Sequence, residues 1–327
     1  PGYEPHTQTD LAVEYMERRR ATDDPFALFV SYGPPHDPWT WDNCPEPFNH
    51  LFRDEIFPDP PNYDDGHARY WHPEWNEEWW KQEWKPHRFR QRQVYAAQTA
   101  SLDWEVGRLL YAMNQLELAD DTIFVFTSDH GEMFGSQGRI AKKIFYEEAV
   151  RVPFLLRWPG ECPPHVDASC LNTPDIAPTL LSLMGLPVPD SMEGTDLSAQ
   201  AQGAALPDAS GPKEAALLQG MGHTFQWHDG DEWRAARDQR YTYAEMLDGP
   251  THLYDHANDP YQRENRVDDP GYRDARERLS TWMHDQMDAL NDPFKPTTWY
   301  KDQWERDRTI IRSATRELPP EHRSDGD

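Results

Sequence analysis

The stretch Thr122–Pro159, TIFVFTSDHGEMFGSQGRIAKKIFYEEAVRVPFLLRWP, decides how this chain is read. A short apolar run, Ile123 to Phe126, stops abruptly at Ser128-Asp129-His130-Gly131. A glycine-punctuated loop carrying Lys142 and Lys143 follows, and a second apolar run opens at Val152. The plain reading is two buried strands joined by a polar loop. The functional reading gathers a carboxylate, an imidazole and a lysine at the carboxyl end of a buried strand. Open α/β sheets bind ligands at that edge, because loops vary freely there while the sheet holds them rigid.

Upstream, Val94, Gln98, Leu102, Val106, Leu109, Met113 and Leu116 keep a spacing close to 3.6 residues, which predicts a helix over 93–118. Asp120-Asp121 ends it and the apolar run follows at once. Helix, tight turn and strand make half of a βαβ unit. The expected fold is therefore α/β, a mostly parallel, doubly wound sheet. Phe26 to Tyr32, FALFVSY, predicts another buried strand of that sheet. It stops at Gly33-Pro34-Pro35-His36-Asp37-Pro38-Trp39, where three prolines stiffen the loop that holds His36. Before it, residues 8–20 place Leu11, Ala12, Tyr15 and Met16 on one helical stripe, with Thr9 as the N-cap. Residues 39–92 form an insertion of different character, with Trp39, Trp41, Trp71, Trp75, Trp79, Trp80 and Trp84 set among acids and prolines. Such a lobe either stacks on a sugar or ring or packs on its own indoles.

Downstream, Thr173-Pro174-Asp175 supplies N-cap, first-turn proline and first-turn acid for a helix that Gly185 terminates. Residues 187–212 are rich in Pro, Gly, Ala and Ser and mark the boundary. The expected organisation is an α/β domain over 1–205, a small α+β subdomain over 206–293 and a tail over 294–327. In the subdomain, strand-like pieces at 215–219, 232–236, 240–244 and 252–254 precede a helix from Gly271 to Leu290.

Composition narrows the partners. A formal charge of -26 opposes nucleic acid, whose phosphates it would repel. No apolar run approaches the roughly 20 residues that cross a bilayer, so no membrane partner is expected. Cys44, Cys162 and Cys170 have no metal-type spacing and cannot all pair, which argues against a disulfide scaffold. The chain opens at Pro1 with neither initiator Met nor leader, and its N-terminus is read as artificial or truncated.

Each candidate residue has a bland alternative. Asp129 and His130 are metal-ligand types, but the pair also reads as an N-cap and a structural histidine. Two ligands do not satisfy Ca²⁺, which takes about 6–8 oxygens, so a metal here needs others from elsewhere. A lysine such as Lys142 beside a dication would hold an anionic group between them, or else pair with Glu147 or Glu148 at the surface. His36 is placed to donate to an anion or protonate a leaving group, or simply to sit in a turn.

Several segments taken together resemble the sulfatase family of the alkaline-phosphatase superfamily. They are PFALFVSYGPPHDPW, LELADDTIFVFTSDHGEMFGSQGRIAKKIFYEEAVRVPFLLRWPG, DIAPTLLSLMGLPVPDSMEGTDL, WRAARDQRYTYAEM and LYDHANDPYQREN, in the family's order. The resemblance implies a divalent metal, usually Ca²⁺ with Mn²⁺ or Mg²⁺ as alternatives, bound by Asp129 and His130 under a sulfate ester. It implies Lys142, four residues before Tyr146, as the lysine on the sulfate and leaving oxygen, with Lys143 displaced by one and turned to the surface. His36 matches the histidine of the family's PHxP loop, which contacts sulfate. The family's nucleophile is a formylglycine made within C/S-x-P-x-R, and no such sequence occurs in these 327 residues. The resemblance therefore implies a sulfatase without its N-terminal formylglycine region, inactive alone. The whole protein would hydrolyse a small-molecule or carbohydrate sulfate monoester. Two rivals stand beside it: a phosphonate or phosphate ester hydrolase of the same superfamily, and a catalytically dead binding module working through its Trp-rich lobe.

Overall fold

The structure, a computed structural model, describes residues 2–22, 24–66, 77–203, 213–221 and 229–305. Trp71, Trp75, part of the expected boundary (204–212) and the end of the expected tail (306–327) lie outside the described residues. In chain order the regular elements are α1 (Glu4–Arg20), α2 (Glu77–Trp79), α3 (Lys85–Gln115), β1 (Phe124–Thr127), α4 (Glu147–Val150), β2 (Phe154–Arg157) and α5 (Thr173–Leu183). There follow α6 (Ser198–Ala201), β3 (Ala215–Met221), β4 (Glu232–Asp238), β5 (Tyr241–Met246), β6 (Gly249–Asp255), α7 (Arg273–Ala289) and α8 (Thr297–Glu305). They fall into two compact units, one of residues 1–141, 151–165 and 201–203, the other of 142–150, 166–200 and 204–327.

The expected parallel, doubly wound sheet is not what forms. Both sheets are antiparallel, β1 with β2 and β3-β4-β5-β6 as a meander. Between β1 and β2 the only helix is the single turn of α4, far too short for the crossover that parallel strands require. β2 instead runs back along β1, with Phe124 opposite Arg157 and Thr127 opposite Phe154. The strand expected at Phe26–Tyr32 pairs with no strand among the described residues, and Phe29 is 91% exposed. An apolar run marks a segment able to enter a sheet. The ladder itself needs a partner, which one-dimensional pattern does not supply.

In the first unit α1 lies against α3. Ala12, Met16, Leu109, Met113 and Ala119 form a core that also takes in Phe26, Val30, Tyr32 and Phe124. Two sequence expectations shift here. Helix α1 starts at Glu4, with Pro5 in its first turn, so Thr9 is not a cap: it is buried and exchanges a 2.8 Å hydrogen bond with the Tyr32 hydroxyl. The buried stripe of α3 runs through Gln98, Ser101 and Glu105, whereas Leu102 and Val106 are only partly buried. Polar residues can lie there because they are paired. Gln98 donates to the Asn43 carbonyl at 3.2 Å, and Glu105 accepts from Arg108 at 2.8 Å and bonds the His6 ring.

The second unit is a four-stranded meander with α7 across it, and Tyr243, Leu253, Val267, Leu279, Met283 and Met287 form the core between them. All four strand-like pieces of the sequence are strands, and the helix is close to its expected span. Arg234 in β4 is buried and its guanidinium forks onto Asp292. Within the expected tail over 294–327, Thr297 is buried and starts α8, its N–H bonded to Glu232 at 2.5 Å. Helix α5 is capped by Asn172 rather than Thr173, with Asp175 reaching back to the Asn172 N–H at 2.8 Å. Asp175 also takes the Thr195 N–H at 2.8 Å and the Lys213 ammonium at 2.5 Å. A Cβ at Gly194 would lie 1.9 Å from the Pro174 carbonyl oxygen, so only glycine lets that segment pass against the helix start.

Candidate active site

In the first unit the candidate residues sit where β1 ends. Thr127 is the last residue in the ladder, and the chain then turns through Ser128-Asp129-His130. The Asp129 carboxylate takes the His130 N–H at 2.9 Å, and Ser128 Oγ donates to the His130 carbonyl at 2.9 Å. These local bonds keep the Asp129 side chain outward, 83% exposed. His130 Nδ1 lies 2.9 Å from the Gly131 carbonyl, which can only accept, so the proton belongs on Nδ1. The other ring nitrogen, Nε2, lies 3.4 Å from Asp129 Oδ2.

The proline-stiffened loop brings His36 to the same place. The two imidazoles are edge to face, 6.3 Å between ring centroids. His36 Nδ1 is 3.0 Å from the Asp37 carbonyl and 2.9 Å from its carboxylate, which directs that nitrogen back onto its own loop. Asp129, His130 and His36 are thus gathered in one unit, from two loops a hundred residues apart in sequence.

A hard dication fits the donor chemistry of this corner only in part. An outward carboxylate and an imidazole held as the Nδ1–H tautomer are a ligand pair whose orientation is already fixed. Among the described residues no group of three or more His, Cys, Asp or Glu is gathered tightly enough to hold a metal ion. The corner offers two ligands where calcium needs about six to eight.

Lys142 belongs to the second unit, in a segment anchored by aromatic packing. Phe145 and Tyr146 are buried against Trp233, His252 and Tyr254. Trp233 Nε1 donates to the Lys143 carbonyl at 3.1 Å. Glu147 receives Arg237 through two nitrogens, at 2.9 and 3.1 Å. Lys142 itself is flanked by two left-handed, non-glycine residues, Ala141 (φ 61°) and Lys143 (φ 73°). Such backbone costs roughly 1–3 kcal/mol per residue and persists only where surroundings over-determine it. Lys143, expected at the surface, is half-buried; burial first, and Lys142 next, hold its ammonium below the usual lysine range.

Sequence reasoning missed the residues that shape the loop between them. Glu132 Oε1 takes the N–H groups of Ala141 at 2.5 Å and Phe134 at 3.3 Å, closing residues 132–141 on themselves. Trp80 and Trp84 are fully buried, packed with Ile140, Phe134, Trp39 and Tyr63. These indoles are core and not a stacking surface. No period marks them, since the insertion's packing partners lie on a loop some fifty residues away.

The sulfatase family's sequence model matches residues 1–186, more than half of the chain. The chain belongs to the sulfatase family. It is thereby a member of the alkaline-phosphatase superfamily of ester hydrolases. A second model, described as the C-terminal part of N-sulphoglucosamine sulphohydrolase, matches residues 135–289. Among sulfatase relatives, the chain is 31% identical over 303 residues to an ulvan-active sulfatase of Formosa agariphila, covering 91% of the chain and 55% of that protein. It is 28% identical to an endo-4-O-sulfatase of Bacteroides thetaiotaomicron, covering 94% of the chain and 59% of that protein. A solved Bacteroides thetaiotaomicron structure, described in connection with metabolism of multiple glycosaminoglycans, superposes with a TM-score of 0.72 at 27% identity. That superposition covers 93% of this chain and 62% of the other. The chain spans little more than half the length of the curated relatives it matches.

Proposed function

We propose that this chain carries the leaving-group half of a sulfatase active site, and that the intact protein hydrolyses a carbohydrate sulfate monoester. The observation that carries the reading is the corner at the end of β1, where Asp129 and His130 are presented as an oriented ligand pair with His36 6.3 Å away between ring centroids. Family membership supports the chemistry. Relatives described as acting on ulvan and as an endo-4-O-sulfatase support a carbohydrate ester as substrate.

In this reading Asp129 and His130 would be among the ligands of a divalent cation, most simply Ca²⁺, with Mn²⁺ or Mg²⁺ as alternatives. When bound, that cation would offset negative charge on the sulfuryl oxygens. Lys142 binds the sulfate and steadies charge building on the leaving oxygen. His36, its Nδ1 turned to its own loop, uses Nε2 to donate toward the same group. The nucleophile, a formylglycine, comes from outside these 327 residues, in which C/S-x-P-x-R does not occur. The isolated chain is accordingly inactive.

The test pairs the isolated chain with the protein encoded by the whole gene, using 4-nitrophenyl sulfate and sulfated oligosaccharides. Turnover by the whole protein and none by the chain is expected. Turnover by the chain alone overturns the division of labour. Faster turnover of a phosphate or phosphonate ester than of any sulfate ester overturns the substrate class.

A further inference from the structure

Three residues of the loop Met133–Ala141 are non-glycines in the left-handed region: Phe134 (φ 45°), Gln137 (φ 55°) and Ala141 (φ 61°). At roughly 1–3 kcal/mol each, the loop does not adopt this shape unaided. What holds it is visible in the Trp-rich insertion. Gln137 donates its N–H to the Asn62 carbonyl at 2.8 Å, and Asp64 donates its own to the Gly135 carbonyl at 3.3 Å. Tyr63 and Ser136 form a β-bridge between the same two segments. A Cβ on Gly135 would fall 2.6 Å from the Tyr63 ring, so the two chains are in close contact.

One side chain fixes the loop and the insertion to each other. Arg92 of α3, its side chain 9% exposed, donates through Nη2 to the Phe134 carbonyl at 2.7 Å. Through Nη1 it donates to Asp59 at 2.6 Å and to the Pro58 carbonyl at 3.2 Å. Asp59 in turn receives Arg88 at 2.9 and 3.0 Å. Burial pushes the Asp59 carboxyl up, but the bonds from Arg88 and Arg92 outweigh it and leave it below the usual carboxylate range. The planar guanidinium suits this task, because its nitrogens reach two acceptors in fixed directions where an ammonium would not.

We propose that Arg92 and Asp59 are positioning residues for the sulfatase reaction. They lock the strained loop that follows Asp129 and His130 in the chain. The proposal rests on the sulfatase reading of that pair and adds the device that sets it. It also gives the Trp-rich insertion a role: Trp80, Trp84 and Tyr63 form the solid floor against which the loop is held.

The test uses the whole protein with Arg92→Met, Arg92→Lys, Asp59→Asn and Gln93→Ala. Gln93 is the control, since it bonds the Arg53 and Glu55 carbonyls of the same insertion, at 3.0 and 2.7 Å, and not the loop. For Arg92→Met, kcat on 4-nitrophenyl sulfate falls by about 10–100-fold with KM within about twofold, as for lost support of an oriented site. Hydrogen exchange at Gly135–Arg139 quickens about tenfold or more, while the rest of the chain keeps its protection. Arg92→Lys and Asp59→Asn fall between, and Gln93→Ala matches wild type. Should Arg92→Met not fold, Arg92→Lys decides by the same readings. Unchanged exchange in the loop, unchanged kcat with a loosened loop, or an equal effect from Gln93→Ala each overturns the proposal. If the wild type turns over no sulfate ester, the sulfatase reading fails, and the exchange measurement alone decides whether Arg92 locks the loop.

Discussion

Lys142 and Lys143 are neighbours in sequence with different surroundings. Both side chains are partly buried, and the Lys143 ammonium is depressed by burial and by Lys142. If Lys142 is the residue on the sulfate, Lys142→Ala in the whole protein lowers kcat by about 10²–10³-fold, the size found on removing one donor to developing charge. Lys143→Ala lowers it less and destabilises the fold more, and the two are separated by steady-state kinetics beside thermal melting. His130→Ala and Asp129→Asn weaken Ca²⁺ binding by about tenfold or more, read by calorimetric titration of the whole protein. At this scale the sequence was informative where chemistry is local. An Asp-His pair after an apolar run, and a histidine between prolines, can be seen in one dimension. The partner that fixes a tautomer cannot, and neither can the burial that depresses the Lys143 ammonium.

Elements were legible to the extent that their own residues decide them. The meander and α7 follow from four short strand-like pieces and a helical stretch, closed within about seventy-five residues. β1 and β2 were found as apolar runs, but their antiparallel pairing was not, because direction depends on the length and path of what joins them. Phe26–Tyr32 has a strand's composition and no ladder among the described residues. The polar stripe of α3 escaped because Glu105 has its partners, His6 and Arg108, in place only after folding. Two substitutions test the packing of the insertion on its loop. Gly135→Ala needs φ +91° from a residue with a Cβ and room where the Tyr63 ring stands, so it destabilises by about 2 kcal/mol or more in urea unfolding. Trp84→Ala empties a fully buried site and costs about 3–5 kcal/mol by the same measurement.

At the scale of the whole chain the formal charge is -26, and several of its less exposed carboxylates, Asp292, Glu147 and Asp255, are held by arginine. Asp255 is the clearest case: Arg240 first, then Asn258 and the Ala257 N–H, bring its carboxyl down from 3.8 to about 2. A folded value below the unfolded one means stability that is present above about pH 4 and lost as pH falls toward 2. Asp255→Asn lacks this contribution, so its urea midpoint lies below wild type at neutral pH and the gap narrows across that window. No helix among the described residues is long and apolar enough to cross a membrane. Family membership was legible from several motifs agreeing in order, which no single motif could establish. The central claim is that Lys142 and the Asp129–His130 pair serve sulfate-ester hydrolysis. The most direct measurement is kcat/KM of the whole protein and its Lys142→Ala variant on 4-nitrophenyl sulfate and on phenylphosphonate esters, with Ca²⁺ present. The account predicts that the sulfate ester is the better substrate and that the substitution lowers its turnover by about 10²–10³-fold. Equal rates for variant and wild type, or a phosphonate preferred to the sulfate, would contradict it.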